Sequence, residues 1–217
     1  MIPITSPAIE DYLFKLAARY DEPVLKAMEA YGHKHRFPII DRLVGAMIHL
    51  WASTLGTKRV FELGSGFGYS AYWFSKAVGP QGKVFCTDGD EKNKKLAKDF
   101  LTKVGLWGRI EFLVGDAVRQ LKKTDGMFDI IYCDIDKHGY PDAWEAAKDR
   151  LRPGGLYIAD NCLWFGRVAE KVVTDDVAPG WTEAIREHNE RIYTDKNFDV
   201  TLIPLRDGVI VARRKDA

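Results

Sequence analysis

The feature that most constrains this chain is an apolar run at residues 60–63 that ends in three glycines at alternate positions, Gly64, Gly66 and Gly68. The run predicts a buried strand, and the apolar spacing over residues 69–78 predicts a helix. Glycines between them allow the positive φ angles and close backbone approach that a tight strand-to-helix turn needs. Because the N–H groups and the positive dipole end of the helix face this turn, we predict a cradle for a nucleotide-like ligand with an anionic part. The alternative is an ordinary turn of an α/β protein.

The length and charge of the chain limit the classes of protein it can belong to. At 217 residues it can form one domain with a sizeable core, for which we predict an N-terminal helical region over 1–55 and an α/β core over 56–217. A net charge of +1 gives no electrostatic footprint for nucleic acid or an acidic membrane surface. No apolar run has bilayer-spanning length, and the N-terminus lacks a signal-peptide pattern. The three cysteines lie far apart, each in or beside an apolar run, which predicts reduced core cysteines of a cytoplasmic protein.

Apolar runs alternate with helical patterns after the glycines. The predicted strands cover residues 83–88, 110–114, 127–134 and 156–159, and the predicted helices cover 91–104, a stretch starting at 117, and 141–151. This alternation predicts an α/β fold with a Rossmann-like, doubly wound, mostly parallel sheet. Residues 200–203 and 209–212 are predicted to close the sheet as a C-terminal antiparallel hairpin.

The region before the glycines is predicted to be helical. Two helices within residues 9–31 are expected to be separated near 21–23, with Ser6 as a possible cap. A basic turn is predicted over 32–36, followed by a third helix over 40–55. These helices could cover the site, pack against a second subunit or complete the core.

Acidic residues stand at the predicted carboxyl ends of the strands. In doubly wound sheets the ligand lies beyond those ends, so the acids are expected to surround it. Asp88, twenty residues after Gly68, is the candidate to accept hydrogen bonds from ribose hydroxyls, ahead of Asp90. Asp116 could face an adenine amine or cap the helix that starts at Ala117, and the sequence does not separate these roles.

One acid precedes the glycines and bears on the choice of ligand. Glu62 lies two residues before Gly64, where a carboxylate suits a cationic ligand and would repel a pyrophosphate. This form of the turn resembles motif I of class I S-adenosylmethionine (SAM)-dependent methyltransferases. SAM carries an amino-acid carboxylate, an ammonium and a sulfonium, and no phosphate.

The ends of the fourth and fifth predicted strands carry a set of oxygen donors. Asp134, Asp160 and Asn161 offer two carboxylates and an amide oxygen, which suit Mg²⁺, or Ca²⁺ or Mn²⁺, rather than zinc. The alternative is that they are loop residues that cap helices. Lys137 lies three residues after Asp134, where a cation and a sulfonium would favour its neutral form and allow it to act as a general base.

Four motifs resemble those of the metal-dependent O-methyltransferase family, which includes caffeoyl-CoA O-methyltransferases, their bacterial relatives and, more distantly, catechol O-methyltransferase. The similarity covers residues 59 to 217. The motifs are Glu62-Leu63-Gly64 with Gly68-Tyr69-Ser70, Asp134-Ile135-Asp136-Lys137-x-x-Tyr140, Asp160-Asn161-x-Leu163-Trp164-x-Gly166, and Ile203-Pro204-Leu205-x-Asp207-Gly208.

The resemblance implies a role for each site residue. Asp134, Asp160 and Asn161 would be the metal ligands, Asp134 and Lys137 the catalytic residues, and Trp164 and Tyr140 parts of the acceptor pocket. The residues implied to bind SAM are Glu62, Gly64, Ser65, Gly66, Gly68, Tyr69, Ser70, Asp88, Gly89, Asp116, Ala117 and Asp134. The chain departs from the family over 37–42, where an Ile-Ser-Pro-Glu-Gln-type segment is usual, and over 168–181, where family members vary their acceptor-recognition loop.

The sequence therefore predicts a SAM-dependent, divalent-metal-dependent O-methyltransferase that acts on a catechol-like small aromatic. A homodimer is a family expectation, and no nucleic-acid or membrane partner is expected. The alternatives are a metal-independent small-molecule methyltransferase of the same fold, a nucleic-acid methyltransferase and a non-catalytic module that binds SAM or a nucleotide. Residues 160–163 lack the Asn/Asp-Pro-Pro-Tyr/Phe pattern used on exocyclic amines, which argues against the nucleic-acid enzyme.

Overall fold

The computed structural model describes residues 5–173 and 176–216. The helices are α1 Pro7–Ala17, α2 Pro23–His35, α3 Arg42–Thr54, α4 Tyr69–Val78, α5 Glu91–Thr102, α6 Ala117–Lys123, α7 Tyr140–Ala147 and α8 Trp181–Thr194. The strands are β1 Arg59–Leu63, β2 Lys83–Asp88, β3 Ile110–Val114, β4 Phe128–Cys133, β5 Leu151–Ala159, β6 Phe198–Ile203 and β7 Val209–Arg214. None of the helices described is long and apolar enough to cross a bilayer.

The strands form one sheet in the order β3-β2-β1-β4-β5-β7-β6. The first five strands of this order are parallel, whereas β7 pairs antiparallel with both β5 and β6. The predicted doubly wound sheet with a C-terminal hairpin is therefore confirmed. The chain leaves β1 toward β2 and later returns to β4 on its other side, so a crevice opens between β1 and β4 where ligands bind in such sheets.

Alternate residues of the buried strands pack into two cores, one on each face of the sheet. Val60 packs with Ile48 and Trp73 under the N-terminal helices. Phe61, the next residue, packs on the other face with Trp144 and the remaining residues of the second core. This alternation follows from the two-residue period of a strand, and it leaves the carboxyl ends of the strands free to form a site.

The fifth strand begins earlier than the sequence indicates. β5 starts at Leu151, which pairs with Phe128, so the predictions of a helix to 151 and a strand from 156 are wrong there. The Pro153-Gly154-Gly155 sequence signals a turn, but here it forms an irregular part of the strand beside β4. A Cβ on Gly155 would stand 3.0 and 3.2 Å from the carbonyl oxygens of Asp129 and Phe128. A glycine at this position therefore allows β5 to pack closely against β4.

The predicted basic turn at 32–36 is also wrong, because α2 continues to His35. Gly32 lies buried within the helix, and a Cβ there would stand 3.2 Å from Cδ1 of Ile39. The helix ends instead at Arg36, which has left-handed backbone angles. Other predicted features hold: Ser6 caps α1, and α4 has the predicted bounds.

Candidate functional site

A cavity of about 850 Å³ lies over the carboxyl ends of the five parallel strands. Fourteen of the predicted site residues line it: Gly64, Ser65, Gly66, Tyr69, Ser70, Asp88, Gly89, Asp116, Ala117, Asp134, Lys137, Asp160, Asn161 and Trp164. The fold therefore gathers residues that are up to a hundred positions apart in the chain. The other three predicted site residues, Glu62, Gly68 and Tyr140, do not line the cavity.

The glycine turn forms the floor of the cavity. Gly64 has φ +84°, and a Cβ there would stand 2.3 Å from the carbonyl oxygen of Asp134. Gly66 has φ +50°, and its Cβ would collide with the ring of Phe37 at 2.8 Å. The turn thus needs glycine both for its backbone angles and because two other segments close on it.

Glu62 lies beneath the floor and is fully buried. Its Oε2 accepts hydrogen bonds from Oγ of Ser65 at 2.9 Å and from Sγ of Cys86 at 3.3 Å. Burial raises the pKa of Glu62 to about 7, although the hydroxyls of Ser70 and Ser65 act in the opposite direction. Ser65 and Ser70 line the cavity above Glu62, which does not itself line it. A contact between Glu62 and a ligand therefore stays a prediction.

The structure distinguishes the two acids after β2. Oδ1 of Asp88 accepts hydrogen bonds from N of Asp90 at 2.8 Å and Nδ2 of Asn93 at 2.9 Å, and Asp88 lines the cavity. Asp90 instead caps α5 by accepting from N of Lys92. Both hydrogen bonds use Oδ1 of Asp88, so its Oδ2 is available to a ligand.

Asp116 combines a structural role with a place in the cavity. Its Oδ1 accepts a hydrogen bond from N of Arg119 at 2.8 Å, so the predicted capping of α6 is confirmed. It also lines the cavity between Gly115 and Ala117. A contact with an adenine amine stays a prediction.

Lys137 ties together the oxygen donors at the ends of β4 and β5. Its Nζ donates hydrogen bonds to Oδ1 of Asp134 at 3.1 Å, Oδ1 of Asn161 at 2.8 Å and the hydroxyl of Tyr140 at 2.7 Å. The hydroxyl of Tyr140 in turn donates to the carbonyl oxygen of Asp160 at 2.8 Å. Tyr140 is fully buried, so it supports Lys137 from below the cavity.

Two carboxylates share this end of the cavity. Burial, and then the charge of Asp134, raise the pKa of Asp160 to about 8. Among the described residues, no group of three His, Cys, Asp or Glu side chains could hold a metal ion. The predicted set has only two carboxylates, so it depends on the amide oxygen of Asn161 as its third ligand. Oxygens of Asp134 and Asn161 already converge on one cation, the ammonium of Lys137, so the donors fit a hard cation.

Aromatic side chains wall the cavity beside Lys137. Nζ of Lys137 lies 5.8 Å from the ring centroid of Trp164, which is itself 5.8 Å from that of Trp181. Asn161, Trp164 and Phe165 have positive φ angles, a strained conformation for residues other than glycine. The turn is anchored to the last hairpin, since N of Leu163 donates to the carbonyl oxygen of Asp207 at 2.8 Å.

Several residues of the lining were not predicted from the sequence. Ile135 and Asp136 carried a signal as members of the motif at 134–137, and the residues at 37–40, 177 and 181 lie in the two segments where the chain departs from the family. The others required the packing of distant segments. The full set of unpredicted residues is Phe37, Pro38, Ile39, Ile40, Thr87, Gly115, Ile135, Asp136, Phe165, Val177 and Trp181.

A buried histidine lies behind Tyr140. The ring of His188 is 5.0 Å from that of Tyr140, and its Nε2 is 3.0 Å from the hydroxyl of Tyr157. Nδ1 lies 3.1 Å from Oδ1 of Asn189, whose Nδ2 donates to the carbonyl oxygen of Cys162. Nδ1 therefore carries the proton and Nε2 accepts from Tyr157. Burial lowers the pKa of His188 to about 4.

We expect this histidine to make the free energy of unfolding depend on pH. Below pH 6.5 the unfolded chain binds a proton at His188 that the folded chain does not bind until about pH 4, so stability falls as the pH falls through this range. The loss from pH 8 to pH 5 should be about 2 kcal/mol larger in the wild type than in His188→Gln. Urea unfolding at the two pH values measures it. His33→Gln, at an exposed position, is the control, and equal pH dependence in all three proteins would contradict the assignment.

Comparison with known proteins places this geometry in context. The family model described as O-methyltransferase matches residues 16–215. Caffeoyl-CoA O-methyltransferase of Stellaria longipes is 26% identical over 214 residues, which cover 95% of this chain and 88% of that protein. The structure of a methyltransferase from Geobacter sulfurreducens has a TM-score of 0.85 and 29% identity, with 100% of both chains covered. An O-methyltransferase of Bacillus cereus in complex with SAH shares the fold, with a TM-score of 0.81 and 24% identity over 90% of this chain and 92% of that one.

Proposed function

Because this chain belongs to the O-methyltransferase family and is therefore a SAM-dependent O-methyltransferase, we propose that it transfers the methyl group of SAM to one hydroxyl of a catechol-like aromatic, with the help of a divalent cation. The observation that carries the proposal is the meeting of Lys137, Asp134 and Asn161 beside the ring of Trp164 at one end of the cavity. That arrangement supports the proposal because a base, oxygen donors for a cation and an aromatic wall would then adjoin the proposed SAM site.

The rest of the cavity suits SAM. The N–H groups of Gly64, Ser65 and Gly68 are donated within the protein, so the first N–H groups of α4 are the ones that would meet an amino-acid carboxylate. Asp88 and Asp116 line the part of the cavity farther along the sheet, where ribose and adenine would lie. SAH, which the Bacillus cereus enzyme binds, is the product that SAM leaves after methyl transfer.

The proposed cation would be held by Asp134, Asp160 and Asn161. Two of these side chains already share one ammonium, and the third is a buried carboxylate next to them, so their chemistry fits Mg²⁺ or a similar hard ion. When bound, such an ion would make an acceptor hydroxyl more acidic and fix its orientation.

Lys137, once its ammonium has released a proton to solvent, is the residue proposed to take the proton of the acceptor hydroxyl. It is only 6% exposed, so few water molecules compete for its Nζ. The hydroxyl of Tyr140 and the carboxylate of Asp134 fix the position of Nζ within hydrogen-bond distance. A base held in this way contributes through orientation as well as proton transfer. Trp164 would hold the acceptor ring beside it.

A metal-independent methyltransferase of the same fold is the second candidate. The observation in its favour is that the ammonium of Lys137 already satisfies Asp134 and Asn161, so these oxygens have a cation within the protein. Asp134 and Asp160 would then shape the pocket only.

The deciding experiment measures methyl transfer from SAM to caffeic acid, a small catechol, with Mg²⁺ and with excess EDTA. We expect activity with Mg²⁺, at least a hundredfold loss in EDTA, and recovery when Mg²⁺ is restored, because positioning and charge stabilisation by the ion contribute several kcal/mol. Turnover that is unchanged by EDTA would instead select the metal-independent enzyme. Tight SAM binding without turnover would reject caffeic acid as the acceptor and call for other hydroxylated aromatics.

A further inference from the structure

The indole of Trp164 has a hydrogen-bond partner that the sequence motifs do not include. Trp164 is 5% exposed, and its Nε1 donates to Oδ1 of Asp176 at 3.0 Å. A buried indole N–H usually needs such an acceptor. Asp176 lies twelve residues after Trp164, in the segment 176–180 that precedes α8. The hydrogen bond therefore joins two separate parts of the chain.

The carboxylate of Asp176 is itself fixed by the first turn of α8. It accepts hydrogen bonds from N of Thr182 at 3.0 Å, Oγ1 of Thr182 at 2.9 Å and N of Val177 at 3.0 Å. Burial acts to raise the pKa of Asp176, but the hydrogen bonds from Thr182 and Trp164 hold it below its usual value. The charged carboxylate also lies at the favourable end of the helix dipole. Asp176 is therefore a rigid acceptor.

Trp164 stands between this carboxylate and the reacting end of the cavity. Its ring lies 5.8 Å from Nζ of Lys137, while its Nε1 points to Asp176. Its backbone has φ +49°, a conformation that costs a non-glycine residue about 1 kcal/mol or more. Because the local backbone is strained, contacts elsewhere must hold the side chain in place.

We propose that Asp176 is a positioning residue for methyl transfer: its carboxylate holds the indole of Trp164 against Lys137 and so sets the width of the acceptor end of the cavity. The inference rests on the proposed function, since it concerns the acceptor of that reaction. It also gives a role to the segment before α8, in which Val177 lines the same cavity, as does Trp181, the first residue of α8.

The kinetic test compares variants with caffeic acid as acceptor. Asp176→Ala should lower kcat/KM for the acceptor at least tenfold, mainly through KM, and leave the KM for SAM within twofold. Asp176→Asn keeps an oxygen that can accept from Nε1 and should restore most of the loss. Trp164→Phe removes the donor, so adding Asp176→Ala to it should have little further effect. Glu190→Ala, which removes a carboxylate from an exposed position of α8 outside the cavity lining, is the control and should stay within twofold.

A spectroscopic readout tests the contact without turnover. The indole N–H cross-peak of Trp164 can be assigned as the one missing from Trp164→Phe, and it should shift in Asp176→Ala and keep its position in Glu190→Ala. Three results would each overturn the proposal: losses that multiply when Trp164→Phe and Asp176→Ala are combined, an equal loss in Glu190→Ala, or a cross-peak that does not move in Asp176→Ala. If the wild type does not methylate caffeic acid, the proposed acceptor fails, and the cross-peak still decides whether Asp176 holds Trp164.

Discussion

Replacing Asp160 with asparagine should lower kcat/KM for methyl transfer at least about a thousandfold while the protein stays folded. Asp160 is 5% exposed and supplies one of the two carboxylates of the proposed cation site. The amide keeps the size of the side chain and an oxygen that can accept from N of Asn161, as Oδ1 does now at 2.8 Å. The variant therefore removes charge with little change in shape.

The same substitution should not destabilise the metal-free protein at pH 8. Burial raises the pKa of Asp160, so an ionised Asp160 costs free energy in the folded state, and the nearby Asp134 adds repulsion. The stability of the wild type is thus greatest when Asp160 is protonated and falls as the pH rises toward about 8, whereas the amide has no charge to lose. Thermal unfolding in EDTA measures this.

The control for Asp160→Asn is Asp125→Asn, which removes one charge from an exposed side chain outside the cavity. It should match the wild type in activity and in Mg²⁺ dependence. Full activity in Asp160→Asn would show that the carboxylate has no part in the reaction, and a large drop in its melting temperature would show that Asp160 serves the fold.

Gly64→Ala is expected to weaken SAM binding at least a hundredfold. The alanine would have to adopt φ +84°, and its Cβ would stand 2.3 Å from the carbonyl oxygen and 2.9 Å from the carbonyl carbon of Asp134. Backbone atoms cannot move aside as a flexible side chain can, so the ends of β1 and β4 would have to separate. That movement disturbs the glycine turn and the position of Asp134 together. Calorimetric titration with SAM measures the binding.

The matched control for Gly64→Ala is Gly108→Ala, because a Cβ on Gly108 meets nothing within 4 Å and its φ is not in the left-handed region. It should bind SAM as the wild type does. If Gly64→Ala bound SAM within threefold of the wild type, the cofactor would not depend on the turn as we infer, and its site would have to be sought elsewhere in the cavity.

Local signals in the sequence were sufficient for most of the fold. The period of the apolar residues and the glycines at 64–68 are properties of neighbouring residues, and they predicted β1, α4 and the alternation of the later strands and helices along the chain. Local signals failed where a turn-forming sequence was used for packing. Pro153-Gly154-Gly155 became part of β5, and Gly32 became a contact inside α2, because in both places another segment approaches the backbone closely.

By itself, the sequence determined that acids and glycines stand at the ends of the strands. The rule that parallel strands end at one edge then brings them into one site. Only the tertiary structure decided which of them line the cavity. It placed Asp88 in the cavity and Asp90 outside it, and it placed Glu62 beneath the floor. It also brought Asp176 to Trp164. The physical reason is that side-chain direction, burial and contacts between distant segments depend on packing, which the pattern of neighbouring residues does not encode.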